Sequence, residues 1–216
     1  MKKVVIIGSG GHGREIAEIL QHQAAQDGTL MVQGFLDENP ARHGQVIDDL
    51  PILGDWAWFE TINKNEVAVI CAVGTPAVAR RLVQRARAMD LSFVNALSPL
   101  AHISPRATLG QGIVVFPHVV VNTGAHIGSY STLNLATTVS HDTKIGEYCN
   151  LNPSVHLAGN VTIGNGCYIG MGTNVIQGKS IGDDAIVGAG AVVIRDLPAN
   201  VTAVGIPAKI IKTNKE

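Results

Sequence analysis

From Ile103 to Pro198 the chain can be cut into consecutive six-residue units with no insertion: ISPRAT, LGQGIV, VFPHVV, VNTGAH, IGSYST, LNLATT, VSHDTK, IGEYCN, LNPSVH, LAGNVT, IGNGCY, IGMGTN, VIQGKS, IGDDAI, VGAGAV, VIRDLP. Every unit opens on Ile, Leu or Val; the fifth place is mostly small or β-branched, and glycine recurs at the second. Such a register is a repeat signal, and its physical reading is a parallel β-helix of triangular cross-section. Each unit supplies one flat face. Its leading aliphatic points to the axis, and Gly or Asn permits the positive φ that a tight corner requires. Three faces make one coil, so residues about 18 apart stack and the repeat holds roughly five coils. With aromatics at only 4% and 24 glycines, the composition suits this aliphatic core better than a helical bundle.

Two features of the repeat follow from its phase. Cys149 and Cys167 occupy inward fifth places one coil apart, so they read as core filler rather than a redox couple. Lys179 also falls on an inward fifth place and breaks the pattern, which predicts a local bulge there.

Residues 1–98 follow a different pattern, with strand and helix signals alternating. "KVVIIG" reads as a buried strand running through "GSGGHG" into the helical spacing of Ile16, Ile19 and Leu20. "VQGFLD", "VAVICAVG" and "SFVNAL" read as further strands, and "PAVARRLVQRARAMD" as a helix opened by Pro76. The expectation is an α/β domain with a small Rossmann-like parallel sheet over 1–98, followed by an all-β parallel β-helix over 99–216, which the family resemblance given below implies is a left-handed parallel β-helix.

Charge and cysteine usage narrow the function. With 16 basic and 17 acidic residues the net charge is -1, which gives no footprint for nucleic acid or an anionic membrane. Cys71, Cys149 and Cys167 are an odd count without metal spacing, which points to a reducing cytoplasmic setting. The apolar run before Gly8 is too short for a signal peptide or a membrane span. No two histidines have the H-x4-H spacing of zinc-binding β-helices, so no metal site is expected.

Gly8, Gly10 and Gly13 form G-x-G-x-x-G between a strand and a helix, where backbone N–H groups can approach a phosphate. Asp37 ends the second strand, where a dinucleotide fold places its ribose acid. These residues alone leave an NAD(P) site and a plain tight turn both open. Four strand signals are too few for two complete mononucleotide halves.

Taken together, the uninterrupted [LIV]-G-x-x-x-x units, "IIGSGGHGREIAEIL", "GFLD", "AVGTPAVARRL", "SHD", "HLAGNVTIG" and "VGIPAKII" resemble one family along nearly the whole chain. It is the hexapeptide-repeat sugar acetyltransferase family, in the branch of sialic acid O-acetyltransferases and nucleotide-amino-sugar N-acetyltransferases. The resemblance implies that Gly10, Gly11, His12, Asp37, Glu38 and Gly74 hold a nucleotide sugar: the glycine loop faces diphosphate and sugar, and the acids reach the base. His12 also reads as an ordinary helix-start residue.

Transfer of an acyl group to an amine or hydroxyl needs a base and a donor for the developing oxyanion. His141 stands at the third place of its unit, just past inward Val139, and Asp142 follows it. An unperturbed histidine titrates near about 6.5, and a carboxylate beside it fixes its orientation. One coil beyond His141 is Gly159, whose N–H is the candidate donor. The resemblance selects the same residues: His141 as base among eight histidines, Asp142 as partner, Gly159 beside the thioester. Asn150 stands where some relatives carry a second histidine, and an amide there can still hydrogen-bond. The resemblance further implies acetyl-CoA as co-substrate, with pantetheine running past Gly188 and Ala189 and Lys209 near the phosphates. It also implies a homotrimer with active sites between subunits. The expected reaction is N-acetylation of a nucleotide-linked amino sugar. O-acetylation of a sugar such as sialic acid is the nearest rival, and a non-catalytic nucleotide-sugar-binding trimer is the reading from another class.

Overall fold

The computed structural model describes residues 1–213 and divides into two compact units. The first comprises Met1–Gly74 and Val78–Pro99, the second Thr75–Ala77 and Leu100 onward.

The first unit is a six-stranded sheet with two helices. In chain order the elements are β1 (Lys2–Ile7), α1 (Gly11–Asp27), β2 (Leu30–Leu36), β3 (Val46–Ile47), β4 (Leu50–Gly54), β5 (Val67–Cys71), α2 (Pro76–Ala88) and β6 (Ser92–Phe93). The spatial order is β3-β4-β2-β1-β5-β6, parallel throughout except for the β3–β4 hairpin. β1 lies centrally, and Val4, Val5, Ile6 and Ile7 are all buried, as a strand covered on both faces requires. Helix α1 buries Ile16, Ile19 and Leu20 and stops at Gly28, whose φ of +63° lets its N–H reach Ala24 O. Helix α2 starts at Pro76 and buries Ala79, Leu82, Val83 and Ala86.

Two strands beyond the four expected appear here, the short β3–β4 pair. They are joined by Asp48 and Asp49 at φ +48° and +63°, a left-handed turn more often signalled by Asn-Gly.

The second unit is the left-handed β-helix that the sixfold pattern requires. Its strands are two residues long and join the sixth place of one unit to the first of the next, as in Thr138–Val139 and Lys144–Ile145. Each pairs in parallel with the strand one coil away, for example His126↔Lys144 and Ile127↔Ile145. From Val115 to Val193 every leading aliphatic is buried. The last coil is closed by Val201–Val204, parallel to Ile186–Val187, and by the antiparallel strand Lys209–Thr213.

The corners correct one expectation. Positive φ belongs to the fourth place of the units from Gly112 to Gly190, between +54° at Asp184 and +70° at Gly124, and is carried by His, Tyr, Ala, Asp and Ser as well as by Gly and Asn, while the second-place glycines lack it. Those glycines answer a different need. A Cβ at Gly146 would lie 2.7 Å from the carbonyl carbon of Gly164 in the next coil, so only hydrogen allows the coils to stack so closely.

Inward polar side chains are satisfied by one rule. A hydroxyl or thiol at a fifth place donates to the carbonyl 15 residues on: Ser131 to Gly146 (2.9 Å), Thr143 to Ala158 (3.0 Å), Cys149 to Gly164 (2.9 Å) and Cys167 to Gly182 (3.1 Å). The two cysteines are free thiols inside the prism, as core filler should be. At Lys179 there is no bulge. Thr162↔Ser180 and Ile163↔Ile181 keep register, and Lys179 is half-buried with Asp196 near it. The long aliphatic stem of lysine allows this, because it lies along apolar surface while the ammonium reaches outward.

Candidate active site

Two sites emerge, one in each unit. In the first, sheet order reverses between β1 and β5, and a crevice opens beyond their carboxyl ends, where open α/β sheets bind ligands. A cavity of about 440 Å³ occupies it. The loop after β1 contributes Gly10, Gly11 and His12, the end of β2 contributes Asp37 and Glu38, and the loop after β5 contributes Gly74. All six sequence-selected residues therefore line one cavity.

The glycine loop is shaped for anions. Gly10 is the N-cap of α1 with no side-chain cap, and the first turn carries no acid. The first N–H groups of a helix have no partner within it, and those of α1 stand beside this cavity with the helix dipole behind them. Gly13 serves packing, since a Cβ there would drive into Gly8 O. His12 is mostly buried; burial lowers its pKa, against Glu15 at 3.7 Å, which favours the neutral ring.

The acids are already engaged. Asp37 accepts from Ser9 Oγ, from Arg42 Nη1 (2.9 Å) and from the Asn39 N–H (2.9 Å). Burial opposes its ionisation, but these hydrogen bonds and the Arg42 charge outweigh that and hold the carboxyl below its usual range. Glu38 accepts from Trp56 Nε1 (3.0 Å) and Arg85 Nη1 (3.2 Å), with Arg85 stacked 4.7 Å over the indole. Sequence reading missed Trp56 and Arg81 as cavity walls. The signal available for Trp56 was a large aromatic close after a strand end, which the unrecognised β3–β4 hairpin concealed.

The second site lies on one edge of the prism. His141 is about half exposed, and its Nδ1 sits 2.9 Å from Asp142 Oδ2. Asp142 occupies a fourth place at φ +58°, and this corner geometry puts its carboxylate beside the ring of its neighbour. Aspartate tolerates that conformation better than most residues. With Nδ1–H donating to Asp142, Nε2 is left as the acceptor, which is the protonation state a base needs.

Glycines make room on both sides of the pair. A Cβ at Gly159, one coil on, would lie 2.5 Å from His141 Nε2, and one at Gly124, one coil back, would lie 2.5 Å from Asp142 Oδ1. The Gly159 N–H has no protein acceptor among the described residues. His141, Gly159, Asn160, Gln177 and Gly178 line an open groove of about 450 Å³. Gln177, one coil beyond Gly159, was also missed, although the 18-residue period points to it.

The other cofactor candidates lie elsewhere in the prism. Asn150 is buried on a separate face between Thr132 and Tyr168, since nine residues is one and a half faces. Gly188 and Ala189 belong to a third edge, stacked beyond Gly170 and Met171, and Lys209 is exposed on the terminal strand. His156 points to solvent and bonds Thr138 Oγ1 at 2.9 Å. Burial pushes the Cys71 thiol up to about 11, which leaves it protonated and a poor nucleophile. No group of three or more His, Cys, Asp and Glu side chains among the described residues is arranged to hold a metal ion.

The β-helix and its carboxylate-oriented histidine beside a glycine are those that the hexapeptide-repeat resemblance implied. Residues 3–86 match the PglD N-terminal domain, and residues 142–177 match the bacterial transferase hexapeptide (six repeats). A variant of perosamine N-acetyltransferase from Caulobacter crescentus, solved with CoA and GDP-perosamine, superposes with a TM-score of 0.90 at 36% identity, covering 98% of both chains. The acetyltransferase domain of PglB from Neisseria gonorrhoeae, in complex with acetyl coenzyme A, gives 0.90 at 31% identity, covering 97% of this chain and 99% of that one. Among curated relatives, GDP-perosamine N-acetyltransferase of Escherichia coli O157:H7 is 28% identical over 138 residues, spanning 63% of this chain and 61% of its own length. The match thus spans less than two thirds of that relative. The chain belongs to the hexapeptide-repeat sugar acetyltransferase family, in the branch that contains the nucleotide-amino-sugar N-acetyltransferases.

Proposed function

We propose that this protein is an acetyl-CoA-dependent N-acetyltransferase acting on the amino group of a nucleotide-linked amino sugar. The observation that carries the reading is the His141–Asp142 pair facing the open Gly159 amide. Its support comes from the α/β cavity and from relatives named for this reaction.

His141 Nε2 takes a proton from the sugar amine as nitrogen attacks the thioester carbonyl, while Asp142 holds the ring in the required tautomer. The Gly159 N–H donates to the carbonyl oxygen as charge builds there. The first unit holds the nucleotide, with the diphosphate at the α1 N-terminus. Asn150, Gly188, Ala189 and Lys209 contact the CoA moiety from a neighbouring copy, since they lie off the His141 edge of their own prism. Exposed Leu135, Met171, Ile176 and Ile194 give such copies apolar surface to share, which supports a homotrimer with sites between subunits. No helix among the described residues is long and apolar enough to cross a membrane. We place the protein in the cytoplasm, where its free thiols persist.

The test is acetyl-CoA turnover, read as free thiol, with UDP-, GDP- and dTDP-linked amino sugars and with free sialic acid. Acetylation of a nucleotide amino sugar is expected. Turnover with free sialic acid alone would replace N- by O-acetylation, and binding of nucleotide sugar without any turnover would leave the non-catalytic reading. His141→Ala should lower kcat by roughly 10²–10⁴. An unchanged rate, or a fully active monomer in light scattering, would refute the shared His141 site.

A further inference from the structure

Asp37 is drawn into a closed ring of bonds around the glycine loop. Its carboxylate accepts from the Ser9 hydroxyl and from Arg42 Nη1, while Arg42 Nη2 reaches back 3.1 Å to Ser9 O. The other carboxylate oxygen holds the Asn39 N–H, and the His43 ring sits 2.8 Å from the Asp37 carbonyl oxygen. Ser9 is 1% exposed and stands immediately before Gly10, the N-cap of α1. Fixing Ser9 by both its hydroxyl and its carbonyl fixes the direction in which the following N–H groups face the cavity. Arg42 itself does not line that cavity, and its charge is met by Asp37.

We infer that Arg42 and Asp37 are positioning residues that act through Ser9 to hold the glycine loop open for a diphosphate. The inference rests on the nucleotide-sugar reading of the cavity. The guanidinium matters for its fork: one N–H group takes the carboxylate and another the loop carbonyl, a geometry an ammonium does not reproduce. Without it, the glycine-rich loop samples several conformations and must be ordered when ligand binds.

The test compares wild type with Arg42→Met and Arg42→Lys, using amide exchange of residues 8–13 in ligand-free protein and calorimetric binding of UDP, GDP and dTDP. Arg42→Met should speed loop exchange at least tenfold. It should weaken every diphosphate that binds wild type by one common factor, roughly tenfold to a hundredfold. KM for the nucleotide sugar should rise alike, with kcat and the acetyl-CoA KM within twofold, and Arg42→Lys should recover only part of the loss. Ser9→Ala, which removes a single hydroxyl, should show the same pattern more weakly and serves if Arg42→Met folds poorly. Unchanged loop exchange, a loss confined to one base, or a fall in kcat at constant KM would overturn the inference. Exchange and binding are read without acetyl-CoA, so this result and the acetyl-transfer result can fail independently.

Discussion

Gly159→Ala probes the active edge with a single methyl group. The Gly159 backbone lies outside the left-handed region, so alanine brings no conformational strain of its own. Its effect is steric. The new Cβ would meet His141 Nε2 at 2.5 Å and Cε1 at 2.6 Å, where ordinary contact begins at 3.4 Å, so the ring must retreat by about 0.9 Å. His141 is exposed enough to move at little cost to folding, but the 2.9 Å bond to Asp142 anchors its other nitrogen. Any accommodating motion therefore displaces Nε2 from the amine it must deprotonate. Misplacement by about 1 Å costs on the order of 10² in rate, or about 2.7 kcal/mol of transition-state stabilisation. The expected result is a kcat near a hundredth of wild type, with melting temperature and nucleotide-sugar KM nearly unchanged. The thiol-release assay measures the rates, and His141→Ala/Gly159→Ala serves as the second measurement. If the methyl acts only through the ring, the double variant is no slower than His141→Ala alone. A kcat within threefold of wild type, or losses that multiply in the double variant, would refute the argument.

Two further outcomes follow from backbone packing and from charge. Gly146→Ala places a Cβ 2.7 Å from the Gly164 carbonyl carbon, with rigid backbone opposite, and should cost about 1–3 kcal/mol in denaturant unfolding; Gly11→Ala, in the first turn of α1 and meeting nothing within 4 Å, should not destabilise the protein. The Asp37 carboxyl lies lower when folded than when unfolded, so its contribution is present above about pH 4 and is lost as pH falls through the depressed value. The stability gap between wild type and Asp37→Asn, followed by thermal melts, should therefore be full at pH 7 and narrow on acidification below pH 4; a gap that widens there would contradict the assignment.

The β-helix was legible because each contact that builds it recurs at one spacing, so a single period fixes faces, coils and the stacking of Gly159 over His141. The same arithmetic, which the resemblance overrode at Asn150, sets that residue one and a half faces from the edge, and carried one coil further it reaches Gln177. The role of glycine was harder to read. A glycine can mark a left-handed corner or a place where backbones touch, and Gly124 and Gly146 look alike in sequence while serving these different ends. In the α/β unit the G-x-G-x-x-G loop and the end of β2 were visible, and all six selected residues reached one cavity. The Arg42–Asp37–Ser9 ring was not visible, because it joins residues 33 and 28 positions apart with no periodic relation.

The uniform step of the prism also makes it behave like a rotary dial. Deleting one residue between His141 and Gly159 would move every later leading aliphatic from the axis to an outward-facing sixth place. Deleting six would keep the interior dry but advance all that follows by a third of a turn, bringing Asn165 to the place where Gly159 now stands. Only whole turns of the dial leave the histidine facing a bare amide. Length variation in such a protein is therefore confined to complete coils, or to stretches beyond the last one that carries chemistry.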